Sequence, residues 1–225
     1  MERVTEHEAA VPLELHLERG KARLFVIAPA WPGWSRSQRV KAGDEPAIES
    51  LLDYAPRYAE VARRAGIELP VAFAPRVVEE VVGNATTDFG APDLELSSDR
   101  PRRTTAAGAD LERQVALLRA AWDLLDEIAA AAPESLRKGP RGGGRDTSAV
   151  VAHVTEAERS YARQVGVRHK PYDAGDHAAR DAMRADLVDA LLTDRREGAW
   201  VERRCLRRTA WHVLDHVWEI EDRST

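Results

Sequence analysis

The sequence predicts a small α+β module followed by an all-α bundle of four helices. Three observations carry this. Residues 13 to 18, Leu-Glu-Leu-His-Leu-Glu, alternate strictly between apolar and polar side chains, the period of a strand with one oily face. Four later stretches repeat their apolar residues at three- and four-residue steps, the period of amphipathic helices. Between them, Asn84 to Gly108 shifts to Gly, Pro, Ser, Thr, Asp and Arg, the composition of a linker. The expected domains are therefore 1–85 and 109–225, joined by a linker over 86–108.

In the first module, Gly20 separates the alternating run from the apolar stretch Arg23 to Ala28, so a hairpin turning over Glu18 to Lys21 is expected. A Pro/Gly break, PAWPGWSRS, leads to a short third strand near Trp34 to Val40. Asp44 is expected to cap a helix from Glu45 to Ala65 that stops at Gly66, with Pro56 giving it a kink or a late start. Val71 to Phe73 and Val77 to Val82 fit strand or short helix.

The second module reads as helices over 109–132, 147–165, 176–194 and 206–222. Their stripes are Leu111, Val115, Leu118, Trp122, Leu125 and Ile128; Val150, Val154, Ala157 and Tyr161; Met183, Leu187, Ala190 and Leu191; and Ala210, Val213, Val217 and Ile220. The long connection PESLRKGPRGGGRD, Pro133 to Asp146, is expected to carry the chain along the bundle as a crossover, with Asp146 as the cap of the second helix.

Composition narrows the classes of function. The chain has 225 residues, 44% hydrophobic and 32% charged, with a formal net charge of −5. It can fill a core and is not a disordered chain. Its mild acidity argues against nucleic-acid binding by the whole protein. Its one cysteine, Cys205, excludes an intrachain disulfide and a cysteine-based zinc site. No apolar run approaches the ~20 residues of a membrane span, and the start, MERVTEHEAA, lacks a signal core. A cytoplasmic protein without a membrane partner is the expectation.

The candidate chemistry lies on two helices. His212 and His216, in RTAWHVLDHVWEIEDR, stand four apart and so share a helix face, one turn apart. Both border the apolar stripe of the last helix. His153, in SAVVAHVTEAERSYA, borders the stripe of the second helix. If those helices are neighbours, three imidazoles converge, a ligand set suited to a divalent ion: zinc, nickel, iron or manganese. The same spacing also arises on helices that bind nothing.

Around them, Glu156 is a candidate catalytic base or further ligand, and Glu219 a candidate to orient His216; a solvated glutamate explains either. Tyr161 fits a pocket wall or core packing. Arg137, Lys138, Arg141 and Arg145 crowd the Gly-rich loop before the second helix, so Arg141 and Arg145 are candidates for holding an anion. Arg203, Arg204, Arg207 and Arg208 read as a charged face balancing Glu197, Glu202 and the acidic tail. Trp211 and Trp218 fit either the core or a dimer seam. Cys205 reads as a small packed residue. His169 and His177, on a Pro-containing loop, and His7 and His16 are expected at the surface.

The last helix, AWHVLDHVWEIEDR, resembles the terminal metal-binding helix of the DinB-like family. Those proteins are four-helix bundles with one metal-binding histidine on the second helix and His-x-x-x-His on the last. Residues 109 to 222 follow that layout, and His153, His212 and His216 fall on the three family positions. The resemblance implies a divalent-metal enzyme, a homodimer, a small-molecule substrate, and thiol-dependent transferase or isomerase chemistry with a low-molecular-weight thiol, or hydrolysis. Residues 12 to 66 are similar to the α+β domain of HicB-type antitoxins. That likeness implies the alternative, a non-enzymatic binding or regulatory protein acting through its N-terminal module.

Overall fold

The computed structural model describes residues 10–97, 105–139, 144–193 and 200–224. Their elements are an N-terminal sheet with helices and then a series of long helices. The described residues up to Asp93, without Trp31–Gly33, form one compact unit; Trp31–Gly33 and the residues from Leu94 form the other.

The first unit is a four-stranded sheet ordered β3-β2-β1-β4, with β1 at Val11–Arg19, β2 at Arg23–Ile27, β3 at Ser35–Arg39 and β4 at Phe73–Val82. The hairpin pairs Arg19 with Leu24, and Gly20 N–H donates to the Arg23 carbonyl at 2.8 Å. β3 runs antiparallel to β2, while β4 runs parallel to β1 with a register shift at Leu15/His16. A parallel return needs a crossover, supplied by α1 (Asp44–Leu52) and α2 (Ala55–Arg64).

The single helix expected over 45–65 is thus two. Pro56 lies at the start of α2, where its missing N–H leaves no helical bond unmade. The cap of α1 is Gly43, at φ 89°, not Asp44, whose carboxylate takes a hydrogen bond from Arg19 at 2.8 Å. Leu13, Leu15, Leu17, Leu24, Val26, Leu51, Tyr58 and Val61 fill the core. At its centre Trp34 stacks on Tyr58, 5.2 Å between ring centroids, and donates its indole N–H to the Leu51 carbonyl.

The other face of β1 is also covered, against the alternation. Glu18 is 1% exposed, accepting from the Thr87 hydroxyl at 2.6 Å and from Asp93 N–H at 2.8 Å. His16, expected at the surface, is 6% exposed, its Nδ1 2.7 Å from Glu79. His7 lies outside the described residues.

The predicted linker is likewise structured at both ends. Asn84 and Thr87 form a reciprocal capping box for α3, Ala85–Phe89. Asp88 accepts from the backbone N–H of Ala22 at 2.7 Å, and of Lys21 and Arg23, tying α3 to the hairpin turn. Polar residues that read as linker serve here as caps. The first long helix then starts at Thr105.

The second unit holds α4 (Thr105–Ala131), α5 (Thr147–Gln164), α6 (His177–Thr193) and α7 (Glu202–Ser224). Every pair of the four is in contact. α7 is buried on all sides from Cys205 to Leu214, as a helix at the centre of a core must be. Trp211 and Trp218 are both buried within it, which favours the core over a seam.

The connection from α4 to α5 is no crossover. The Thr147 hydroxyl donates to the Pro133 carbonyl at 2.6 Å, and Thr147 N–H to the Glu134 carbonyl at 3.0 Å, so the two ends of the excursion meet. Asp146 precedes α5 but makes no capping bond to it; its carboxylate accepts from Leu136 N–H instead.

Between α4, α5 and α6 lies a buried charged cluster. Glu158 is fully buried, accepting from the Trp122 indole and from Arg184 at 3.2 Å. Asp126 takes Arg180 at 3.0 Å and Arg184 at 3.3 Å. Burial pushes the Glu158 carboxyl up, and Arg184 opposes that. No helix among the described residues is long and apolar enough to cross a membrane.

Candidate metal centre

α5 and α7 pack together, and their shared seam holds His153, His212 and His216. The i, i+4 spacing puts the last two on one face of α7, with ring centroids 4.6 Å apart. His153 reaches across from α5 to within 4.9 Å and 5.1 Å of them. One ring nitrogen from each lies within 4.8 Å of the other two, and the Nε2 atoms of His153 and His212 are 3.2 Å apart.

His216 Nδ1 lies 2.6 Å from a Glu219 oxygen. A carboxylate only accepts, so Nδ1 carries a proton and donates it to Glu219. Arg223 holds the other Glu219 oxygen at 2.6 Å. The hydrogen bond from His216, with Arg223 behind it, keeps the Glu219 carboxyl below the usual range. Burial pushes both His212 and His153 toward the neutral form. The nearby cationic groups, Arg208 and Arg145 at His212 and Arg145 at His153, act the same way. His212 Nδ1 is buried without a hydrogen-bond partner among the described residues.

This donor set fits a divalent ion. Neutral imidazoles are the form that ligates. Two nitrogens of a tetrahedral site with ~2.1 Å bonds stand roughly 3.4 Å apart, close to the 3.2 Å between His153 and His212.

The other candidates divide. Glu156 stays out of the cluster: its side chain is 65% exposed and pairs with Arg159 at 2.6 Å. Arg141 lies outside the described residues. Arg145 is exposed, yet acts electrostatically on two of the imidazoles. Tyr161 sets its ring edge-on to His212 at 5.8 Å, so it walls the cluster. His169 pairs with Asp186 at 2.8 Å and His177 lies beside Arg180, both away from the cluster.

The basic run before the histidines is not a solvated face. Arg207 is buried and donates to the Leu94 carbonyl at 3.0 Å. Arg208 is buried too, while Arg203 pairs with Asp110 and Arg204 with Glu95. Glu197, its supposed counterpart, lies outside the described residues. A burial pattern of this kind was hidden because α7 is enclosed on every side, and arginine letters read as surface. Cys205 is packed, its thiol pushed up to about 12 by burial. Comparison with family models, curated proteins and solved structures finds no match to this chain.

Proposed function

We propose that the chain is a divalent-metal enzyme of DinB-like type, with His153, His212 and His216 as the ligands. The observation that carries this reading is the meeting of three imidazoles from two helices, one ring nitrogen of each within 4.8 Å of the rest. An ion with an open position there would polarise a bound water or thiol at neutral pH, the chemistry a hydrolase or a thiol-dependent transferase or isomerase requires.

The chain's own groups prepare that position. Glu219 accepts from His216 Nδ1, which leaves Nε2 as the nitrogen that would ligate, and Arg223 holds Glu219 in place. Burial between α5 and α7 favours the neutral form of His153 and His212. Glu156, tied to Arg159, takes no part.

Metal analysis of untagged protein tests the reading. About one ion per chain is expected, and a double His212→Ala, His216→Ala variant should lose it while keeping its helical circular dichroism. Metal-free wild-type protein that stays so in added zinc or cobalt overturns the assignment.

A second reading, a binding or regulatory role for the N-terminal unit with a protein partner, is favoured by one observation. The outer strand β4 exposes Val77, Val78 and Val82, and Phe89 on α3 is exposed as well, apolar side chains that a partner could cover. A copurifying protein that is lost when Val77 and Val78 are changed to Glu would support it.

A further inference from the structure

Resting on the metal reading, we infer that Gly144 and Arg223 are positioning residues of the metal site, through which the connection between α4 and α5 sets the His216 ligand. The contacts form one chain. Glu219 Oε2 lies 2.6 Å from His216 Nδ1, and Glu219 Oε1 accepts from Arg223 Nη1 at 2.6 Å. Arg223 Nε donates to the Arg137 carbonyl at 2.7 Å. The guanidinium is thus pinned at two nitrogens, one on the connection and one on the carboxylate that orients a ligand.

Arg137 also closes the end of α7. Its backbone N–H donates to the Arg223 carbonyl at 2.9 Å and its Nη2 to the Asp222 carbonyl at 2.8 Å. The last four carbonyls of a helix have no partner inside it, so these bonds anchor the connection where α7 has acceptors to spare. Leu136, the residue before, is buried, and its N–H donates to the Asp146 carboxylate at 3.3 Å. That bond draws the two ends of the connection together.

Gly144 completes the seat. A Cβ built there would stand 2.2 Å from Arg223 Nη2 and 2.6 Å from its Cζ, so the guanidinium occupies the space that any side chain would fill. The φ of +139° is one that L side chains rarely adopt. Arg223 Nη2 is buried without a hydrogen-bond partner among the described residues. An unpaired buried donor costs free energy, and the bonds of Nε and Nη1 hold the guanidinium there nonetheless. Gly144 itself is exposed. A side chain at this position therefore displaces the end of Arg223 rather than the core, and the loss falls on Glu219.

The test measures the affinity of the full chain for zinc and for cobalt by chelator competition. Gly144→Ala and Arg223→Gln are each expected to weaken binding by about tenfold, the lower end of what losing a partner behind a ligand costs, with unchanged far-ultraviolet circular dichroism. In a Glu219→Ala background neither change should weaken binding further, because the link through which both act is gone. Metal-free protein gives a second readout: the His216 Nδ1 proton, followed by ¹H–¹⁵N NMR, should exchange with water faster in both variants than in wild type. Arg223→Lys, which keeps the charge, should recover part of the affinity, and Arg223→Gln serves if Gly144→Ala does not fold. Wild-type affinity in the variants, or a loss equally large without Glu219, overturns the inference and leaves the metal reading intact. Wild-type protein that takes up neither zinc nor cobalt overturns both.

Discussion

Glu219 lies one helical turn beyond His216 and grips its Nδ1 at 2.6 Å, with Arg223 a further turn on gripping Glu219 in the same way. Three successive turns of α7 therefore form a relay that ends on the His216 imidazole. A carboxylate behind a ligating imidazole raises its basicity and fixes its orientation. Glu219→Ala should weaken zinc binding by about 10- to 100-fold, measured by chelator competition, with unchanged far-ultraviolet circular dichroism. Unchanged affinity would mean the pair is only a surface bond.

The buried cluster around Glu158 makes a different prediction. Removing one partner strands a buried charge, so Glu158→Gln should cost about 3–5 kcal/mol in urea unfolding. Replacing Glu158 and Arg184 together by Leu should cost less than the sum of the single changes, because neither charge is then left alone. Additive costs would show that the two side chains do not depend on each other.

Cys205 should be chemically silent in the folded protein. Its thiol, fully enclosed and pushed up to about 12, holds roughly a thousandfold less thiolate at pH 8 than an open cysteine. A disulfide reagent should label it only after denaturation, at one equivalent per chain. Rapid labelling of native protein would contradict the packing of α7.

The first unit carries an acid-sensitive tie. Backbone N–H groups, Ala22 first, hold the Asp88 carboxyl below its ordinary value, against some desolvation. A depressed carboxyl stabilises the fold above its unfolded pKa, about 3.9, and that contribution fades as pH falls through the folded value. Asp88→Ala should lower the urea midpoint at pH 6, and the gap from wild type should narrow as pH approaches 3. A gap that widens on acidification would contradict the bonding.

How much of this was legible in the sequence follows from the physics of each residue. The hairpin strands and the four long helices were readable because their apolar periods are regular, whereas Val77 to Val82, now part of β4, fitted strand or short helix equally. The juxtaposition of His153 with His212 and His216 was readable only as a condition, since spacing fixes one helix face and neighbour choice fixes the rest. Glu219 was visible from its i, i+3 offset. Glu158, Arg180 and Arg184 were not, because charged letters on an amphipathic helix imply water, and only the packed helices reveal that they neutralise one another. The Pro133–Asp146 connection was misread for a related reason. Its length suggested distance to be spanned, whereas Thr147 closes it back on Pro133. Arg207 and Arg208 were hidden by the enclosure of α7.

Two of the three cluster histidines ride on α7 and the third on α5, so neither helix alone presents the full set. An ion held by all three would favour the docked pair of helices over any separated arrangement by mass action. Thermal midpoints would then climb with free zinc concentration, and the same dependence would vanish in a His153→Ala variant, making the ion a gauge of whether the two helices have come together.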